Sequence, residues 1–238
     1  MTSVVLIIGT DTGVGKTVLT GLLARQWHAG GVPVAALKPI CSGGRADARV
    51  LRAALDGALG LDEINPWHFR QALAPLLAAR QEGRAVYLVD VVRQVRAAQN
   101  RFAVVLVEGA GGLLSPLGED FDARDLIIAL RATPVVVCPN RLGAVNQALL
   151  VLAALPPATA RRACVVLVSQ AQPDRASRTN AELLGEAIGP ERVHRLPWLP
   201  PASLRVDAPL PPAVRAGLAR LLQALGKFPV PCGPARRP

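Results

Sequence analysis

The chain has 238 residues, of which 51% are hydrophobic and only 3% aromatic, so its core must consist of Ala, Val, Leu and Ile. Its formal net charge is +10, from 27 Lys and Arg against 17 Asp and Glu. The arginines are dispersed, and no aromatic residues lie between them as stacking platforms for bases, which argues against nucleic-acid binding.

Cysteine spacing and hydropathy exclude further classes. The four cysteines are far apart and form no C-x-x-C pair, so neither a zinc site nor a disulfide framework is indicated. The uncharged stretch 142–160 contains Asn146, Gln147 and two prolines, which make it a poor membrane span. The N-terminus runs directly into a strand without a charged leader. We therefore expect a cytoplasmic protein that does not bind membranes.

Strand-like apolar runs alternate with helical stretches along the chain. The predicted strands are Ser3 to Ile8, Val32 to Leu37, Phe102 to Val107, Pro134 to Cys138 and Ala163 to Val168. The predicted helices are Lys16 to Ala29, Ala46 to Leu59, Gln71 to Gln81, Val86 to Gln99, Val145 to Leu155, Arg178 to Ala187 and a closing helix that contains Lys227.

This alternation predicts an α/β fold with an open, mostly parallel sheet and helices on both faces. We expect one domain over residues 1–227 and a flexible Pro/Gly-rich tail over 228–238. Ligands in such sheets bind at the carboxyl ends of the strands. The polar and Gly-rich loops 9–17, 38–47 and 108–116 all follow strands, so we expect them to meet at one edge.

The loop from Gly9 to Thr17 reads G-T-D-T-G-V-G-K-T and fits the phosphate-binding pattern G-x-x-x-x-G-K-[ST]. Its backbone N–H groups would cradle phosphates at the start of a helix, whose dipole favours anions. The strand, loop and helix order is the one this motif requires, so the fold class is P-loop NTPase-like. The predicted nucleotide-binding residues of the loop are Gly13, Val14, Gly15, Lys16 and Thr17.

Mg²⁺ bound to phosphates takes a P-loop hydroxyl and one or two carboxylates. Thr17 supplies the hydroxyl. Glu108 comes directly after an apolar strand, where a charge is costly unless it faces a cation or solvent. Asp47 lies in the loop after the second strand and could reach the same ion or cap a helix. The predicted metal ligands are therefore Thr17, Asp47 and Glu108.

Lysine is scarce in this chain, since only residues 16, 38 and 227 of its 27 cationic residues are Lys. Lys38 ends a strand and is followed by Pro39 and a Gly/Ser-rich loop. A second lysine there can neutralise charge on a transferring phosphoryl group or on its acceptor. We therefore predict Lys16 and Lys38 as the catalytic pair, whereas Lys227 has no such context.

Several segments together resemble the dethiobiotin synthetase family, over residues 3 to about 200. They are the Gly9 to Thr17 loop, Lys38-Pro39 with Ser42-Gly43, Val107 to Gly112 followed by Ser115-Pro116-Leu117, Leu142-Gly143-x-x-Asn146 and Leu196-Pro197-Trp198-Leu199. The combination is specific, although the phosphate loop alone would not be.

The resemblance implies ATP-dependent carboxylation and ring closure of 7,8-diaminopelargonic acid with CO₂, supplied as CO₂ or bicarbonate, in biotin biosynthesis. One amine takes up CO₂ as a carbamate, the carbamate is phosphorylated by ATP, and the second amine closes the ring. The implied cofactor is Mg²⁺, with ATP as co-substrate. The resemblance also implies a homodimer with the substrate at its interface.

The resemblance further implies a role for individual residues. Thr12, Lys38 and Ser42 would contact the diamine or carbamate, and Gly143 and Asn146 would bind its carboxylate from the neighbouring subunit. The nucleotide side would include Glu108, Gly109, Gly111, Ser169, Gln170, Pro197, Trp198 and Leu199.

The chain departs from the family pattern in three places. Ser169-Gln170 stand where the family commonly has an Asn that reads adenine, which leaves the base preference open. Residues 69–76 lack the family's Ser-Pro-His, so polar contacts from that predicted helix are lost or replaced. The loop from Lys38 to Asp47 is short.

Three alternatives share parts of the pattern. A partitioning or positioning ATPase would carry a second lysine where this chain has Asp11. A cobyrinic acid synthase-like amidoligase would need an amidotransferase domain, for which the chain after residue 200 is too short. A degenerate member would keep the loops and lack turnover.

Overall fold

The structure is a computed structural model that describes residues 3–199 and 209–226. The strands are β1 (Ser3–Gly9), β2 (Val34–Leu37), β3 (Ile40–Ser42), β4 (Trp67–Phe69), β5 (Val104–Gly112), β6 (Thr133–Pro139), β7 (Cys164–Val168) and β8 (Val193–Leu196). The helices are α1 (Lys16–Ala29), α2 (Ala46–Ala54), α3 (Leu61–Ile64), α4 (Pro75–Gln81), α5 (Leu88–Gln99), α6 (Ala123–Leu130), α7 (Ala144–Ala153), α8 (Pro157–Ala160), α9 (Asn180–Ile188) and α10 (Pro212–Leu225).

Six parallel strands form the central sheet in the order β2-β5-β1-β6-β7-β8. Helix α1 packs on β1 and β5 together with α2 and α10, whereas α6 packs on the same two strands together with α5. Helices therefore cover both faces, and the predicted α/β class is confirmed. The strands are buried almost end to end because both faces are covered, which explains their continuous Val, Leu and Ile runs.

A two-stranded parallel sheet, β3-β4, stands beside the central one. The sequence predicted a loop over 38–47, but the chain resumes extended pairing one residue after Pro39. Ile40 pairs with Trp67 and Ser42 with Phe69. The runs are only three residues long, so periodicity could not reveal them. This small sheet carries Ser42 at the central sheet's carboxyl edge.

Several predicted boundaries were wrong for local reasons. The helix predicted over 46–59 ends at Ala54, because Asp56 and Gly57 adopt positive φ angles of 51° and 76°. The helix predicted from Gln71 begins at Pro75, since the residue before a proline avoids the helical region and Ala74 is extended at ψ 135°. Residues 70–74 therefore form a loop.

Other elements were shifted or missed. Glu108 lies inside β5, which continues to Gly112 rather than ending at Val107. Helix α6 was missed although Asp122 and Asp125 form a capping box at its start, a signal the sequence contains. Strand β8 has four residues and was also missed. Lys227 and the tail 228–238 lie outside the described residues, and the single-domain boundary stays a prediction.

Across residues 3–199 and 209–226, no helix is both long enough and apolar enough to cross a bilayer.

Candidate active site

The phosphate loop connects β1 to α1 at the carboxyl edge of the sheet. Gly15 precedes the helix at φ 100°, a left-handed angle that a β-carbon disfavours. A β-carbon on Gly9 would lie 2.5 Å from the Asp11 carbonyl oxygen and 2.8 Å from Lys16 Nζ, so this close approach requires glycine. Lys16 Nζ donates to the carbonyls of Asp11 at 2.8 Å and Gly111 at 2.9 Å. The ammonium therefore spans the loop and the end of β5.

Sheet register brings Lys38 and Glu108 side by side. Leu37 pairs with Val107 in neighbouring strands, so the next residue on each strand reaches the same edge. Lys38 Nζ donates to Glu108 Oε1 at 2.7 Å and to the Gly109 carbonyl at 3.1 Å. It also lies 3.0 Å from Asp47 Oδ2. The Thr17 hydroxyl donates to Glu108 Oε1 at 2.7 Å. Two of the predicted metal ligands, Glu108 and Asp47, thus contact Lys38, and the third, Thr17, joins the cluster through Glu108.

The environments shift the pKa values of these groups in different directions. Burial, followed by repulsion from Lys38, lowers the pKa of Lys16 to about 8. Burial alone would also lower the pKa of Lys38, but the carboxylates of Glu108 and Asp47 more than offset it, and that pKa is raised. Burial would raise the pKa of Asp47, but Lys38 beside it holds that pKa below its usual value.

The residues of the cluster can hold a divalent cation. Glu108 Oε2 is buried and has no hydrogen-bond partner among the described residues, so one carboxylate oxygen is left for a ligand. A hydroxyl with carboxylate oxygens is the donor set that Mg²⁺ prefers. Glu108 is 1% exposed, whereas the Asp47 side chain is 44% exposed and can adjust to an ion.

One cavity of about 710 Å³ opens beside this cluster. The cavity is lined by both lysines and by the three predicted metal ligands. Of the predicted substrate-binding residues, Thr12, Lys38 and Ser42 line it as well. Its lining includes Thr12, Gly13, Gly15, Lys16, Thr17, Lys38, Ser42, Asp47, Glu108 and Gly111, with Cys41, Ser115 and residues 72–75. The Ser42 hydroxyl donates to the Leu73 carbonyl at 2.5 Å, which fixes the 70–74 loop against β3. Residues 72–75 present apolar side chains to the cavity.

The remaining predicted site residues lie elsewhere on the same sheet edge. Gly143 immediately precedes α7 at φ 89°, and Asn146 is exposed on that helix. Neither residue lines this cavity. Ser169 and Gln170 follow β7, and Pro197, Trp198 and Leu199 follow the adjacent β8. The Ser169 amide donates to the Leu196 carbonyl at 2.9 Å, so these two segments are neighbours.

Sequence reasoning assigned no site role to several residues at or behind the cavity, among them residues 72–75, Ser115, Cys41 and Asn65. The Ser115 hydroxyl accepts from the Gly112 amide at 2.9 Å and shapes the loop after β5. Cys41 lines the cavity next to Ser42. Asn65 lies fully buried behind Lys38. The Asn65-Pro66 dipeptide signals a turn, but nothing in its spacing links it to Lys38.

Comparison with known proteins shows the family to which the chain belongs. A family model described as an AAA domain matches residues 3–204. The ATP-dependent dethiobiotin synthetase BioD of Anaeromyxobacter dehalogenans is 40% identical over 207 residues, covering 85% of this chain and 93% of that protein. Its namesake from Xanthomonas campestris pv. campestris is 34% identical, covering 82% and 91%. The chain belongs to the dethiobiotin synthetase family. It is accordingly an ATP-dependent ligase.

The fold is shared more widely than the dethiobiotin synthetase family. The MinC:MinD cell division protein complex of Aquifex aeolicus contains a chain that matches with a TM-score of 0.61, covering 98% of this chain and 99% of that one. Identity is only 14%, so this likeness concerns the fold alone. It confirms the predicted P-loop NTPase architecture, while the family assignment depends on the sequence relatives.

Proposed function

We propose that the protein converts 7,8-diaminopelargonic acid, CO₂ and ATP into dethiobiotin, ADP and phosphate. The observation that carries this proposal is the joint placement of Lys16, Lys38 and the Thr17–Glu108–Asp47 set around one cavity. One lysine belongs to a phosphate cradle and the other faces the space beside it. That arrangement suits transfer of a phosphoryl group to an anionic acceptor.

On the nucleotide side, Gly13 to Thr17 would hold the phosphates, with Lys16 on the outer ones. Its ammonium now donates to backbone carbonyls, which a phosphate oxygen can replace because it is a charged acceptor. Glu108, Gly109 and Gly111 would border the nucleotide from β5. The base would lie toward Ser169, Gln170 and residues 197–199, at the ends of β7 and β8.

Thr17, Asp47 and Glu108 would hold Mg²⁺. When bound, the ion supplies positive charge against the phosphate oxygens. The unpartnered Oε2 of Glu108 supports this assignment.

The reaction has three steps, and none of them needs a nucleophile from the protein. An amine nitrogen of the substrate attacks CO₂, forms a C–N bond and loses a proton to give a carbamate. A carbamate oxygen then attacks the γ-phosphorus while the bond to the ADP oxygen breaks, which gives a carbamic-phosphoric anhydride. The second amine attacks the carbonyl carbon, loses a proton and expels phosphate as the ring closes.

The chain's residues would act mainly by position and charge in these steps. Lys38 would offer its ammonium to the anionic carbamate, and its raised pKa keeps that charge in place. Thr12 and Ser42 line the same cavity and would hydrogen-bond the amine or carbamate. The apolar surface of residues 72–75 suits the alkyl chain of the substrate.

We further propose a homodimer in the cytoplasm, where ATP is available. Gly143 and Asn146 would bind the carboxylate of the substrate seated in the other protomer. Large apolar side chains are exposed along α7 and beside it. Leu142, just before α7, is 76% exposed, and Leu150 in its second half is 62% exposed. Leu114, which lines the same hollow as Leu150, is 54% exposed. A patch of this kind favours a protein partner.

The deciding experiment incubates purified protein with diaminopelargonate, bicarbonate and Mg²⁺, and measures dethiobiotin by mass spectrometry. ATP, GTP and CTP are compared, since Ser169 and Gln170 leave the base preference open. We expect dethiobiotin with at least one nucleotide, and much less of it in CO₂-depleted buffer without bicarbonate. Folded, dimeric protein that yields no dethiobiotin with any nucleotide would contradict the proposal and favour a degenerate nucleotide-binding member.

A further inference from the structure

Asn65 is a fully buried polar residue that the proposed reaction does not use. It is 0% exposed and lies in the connection between α3 and β4. Its Nδ2 group donates to the Lys38 carbonyl at 2.8 Å and to those of Pro39 and Trp67 at 3.3 Å each. Its Oδ1 accepts from the Cys41 thiol at 3.3 Å. The Cys41 thiol also lies 2.7 Å from the Gly44 carbonyl, so it is the three carbonyl acceptors around Nδ2 that fix the orientation of the amide.

The backbone needs such a group where it leaves the central sheet. Lys38 and Pro39 follow Leu37, and both residues are buried. Buried carbonyls require donors. The Pro39 carbonyl accepts from the Trp67 amide at 3.1 Å as well as from Asn65, whereas the Lys38 carbonyl accepts from Asn65. The Lys38 amide in turn donates to the Ile64 carbonyl at 2.9 Å.

These bonds clamp the backbone of Lys38 from both sides. Because the backbone is held, the position of the Lys38 Cα atom and the direction of its side chain are fixed. The ammonium at the end of that side chain lies 2.7 Å from Glu108 Oε1 and 3.0 Å from Asp47 Oδ2. Trp67, whose carbonyl Asn65 also binds, pairs with Ile40 in the sheet that carries Ser42. Asn65 thus joins two segments that reach the cavity, without lining it.

We propose that Asn65 is a positioning residue for this reaction, because its amide sets the backbone of Lys38 and so the place of the Lys38 ammonium beside the acceptor. The inference rests on the role proposed for Lys38. It makes a specific claim about kinetics: loss of the amide impairs the chemical step through Lys38 and leaves the phosphate loop intact. A displacement of about 1 Å in such a group can cost on the order of 100-fold in rate.

The main test variant is Asn65→Asp, which keeps the shape of the side chain. It replaces N–H donors by an oxygen that faces three carbonyl oxygens. We expect kcat for dethiobiotin formation to fall on the order of 10- to 100-fold, with ATP affinity within about threefold of wild type. Asn65→Ser is the second variant, since it keeps one O–H donor and is the milder change. Its kcat should lie between those of wild type and Asn65→Asp.

Leu184→Ala is the control for reduced stability. It removes a buried side chain in α9, away from the cavity, and should therefore lower the free energy of unfolding while its kcat stays within about twofold of wild type.

A double-mutant cycle separates positioning from a general loss of structure. If Asn65 acts through Lys38, Asn65→Asp should lower single-turnover rates by less than about twofold in a Lys38→Ala background. Full additivity would overturn the proposal, as would an unchanged kcat in both Asn65 variants or an equal fall in ATP affinity. Wild-type protein that makes no dethiobiotin would instead refute the proposed function, so the two failures are distinguishable.

A measurement without turnover gives an independent check. The chain has three lysines, so selective ¹³Cε labelling gives at most three side-chain signals, which Lys→Arg variants assign. Asn65→Ser should move the Lys38 signal and leave the Lys16 signal in place. An unmoved Lys38 signal in this folded variant would contradict the proposal.

Discussion

The phosphate loop and the Lys38 segment each bring one buried lysine to the same cavity, yet their surroundings are opposite. Lys16 donates to two backbone carbonyls, those of Asp11 and Gly111. Lys38 lies against two carboxylates, those of Glu108 and Asp47. At Lys16, burial and repulsion from Lys38 outweigh the attraction of the nearby carboxylates, whereas at Lys38 the two adjoining carboxylates outweigh burial. The pKa of Lys16 is therefore lowered to about 8, and that of Lys38 is raised.

This difference shows how the surroundings of two lysines can suit them to bind different anions, the nucleotide phosphates at Lys16 and the carbamate at Lys38. The carboxylates near Lys16 do not fully offset its burial and the repulsion from Lys38, so Lys16 gains most from the added negative charge of a phosphate. Lys38 is already neutralised by protein carboxylates, so it is held in position and charged before any ligand arrives. The predictions below test whether this electrostatic contrast is also a functional one.

The largest expected effect distinguishes the two lysines by kinetics. Lys16→Ala should abolish measurable ATP binding, because it removes the cation of the phosphate cradle. Lys38→Ala should lower kcat on the order of 100- to 1,000-fold, as for loss of one transition-state charge partner, with ATP affinity largely intact. Calorimetric titration with a non-hydrolysable nucleotide and single-turnover assays measure the two quantities. Equal loss of nucleotide binding in both variants would assign Lys38 to the phosphate cradle instead.

The second test is thermodynamic and uses nucleotide-free protein. Lys38→Met leaves Glu108 buried without its cation, so the free energy of unfolding should fall by about 3 kcal/mol. Lys16→Met removes a buried charge, which stabilises the folded protein, and two hydrogen bonds to backbone carbonyls, which destabilises it. Its unfolding free energy should change by less than about 1 kcal/mol. Urea denaturation at pH 7 measures both. If both variants lost a similar amount of unfolding free energy, the proposed electrostatic difference between Lys16 and Lys38 would be wrong.

A third test uses pH. Lys16 in the free protein carries its proton below its pKa of about 8 and loses it above that value. Phosphate binding requires the charged form, so ATP affinity should be nearly constant up to about pH 7 and lower by about twofold at pH 8. It should then weaken by up to about tenfold for each further pH unit. Binding at constant Mg²⁺ with a fluorescent nucleotide analogue follows this change. Lys16→Arg, which stays charged, is the control and should bind with little change in affinity over this range.

The contrast also shows what sequence can and cannot predict. The G-x-x-x-x-G-K-[ST] pattern predicted the loop and α1 to the residue, because the motif and its helix are local. The scarcity of lysine singled out Lys38, and its contact with Glu108 follows from strand register that alternation alone does not give. The Asn65 clamp depends on an irregular turn and a three-residue strand. Neither has a periodic signal, so only the structure reveals them.

The smallest expected effect lies at the far end of the substrate, away from both lysines. Asn146→Ala should raise the KM for the diamine by about three- to tenfold, the cost of one hydrogen bond of ordinary strength at an exposed position. Its kcat and ATP affinity should be unchanged, since Asn146 is exposed on α7 outside the cavity. Asn146→Asp should raise KM further, because its carboxylate would repel that of the substrate. Steady-state kinetics at saturating ATP measure both. If neither variant changes the KM for the diamine, Asn146 does not bind the substrate. The kinetic difference between Lys16 and Lys38 does not depend on that result, because neither lysine lies on α7.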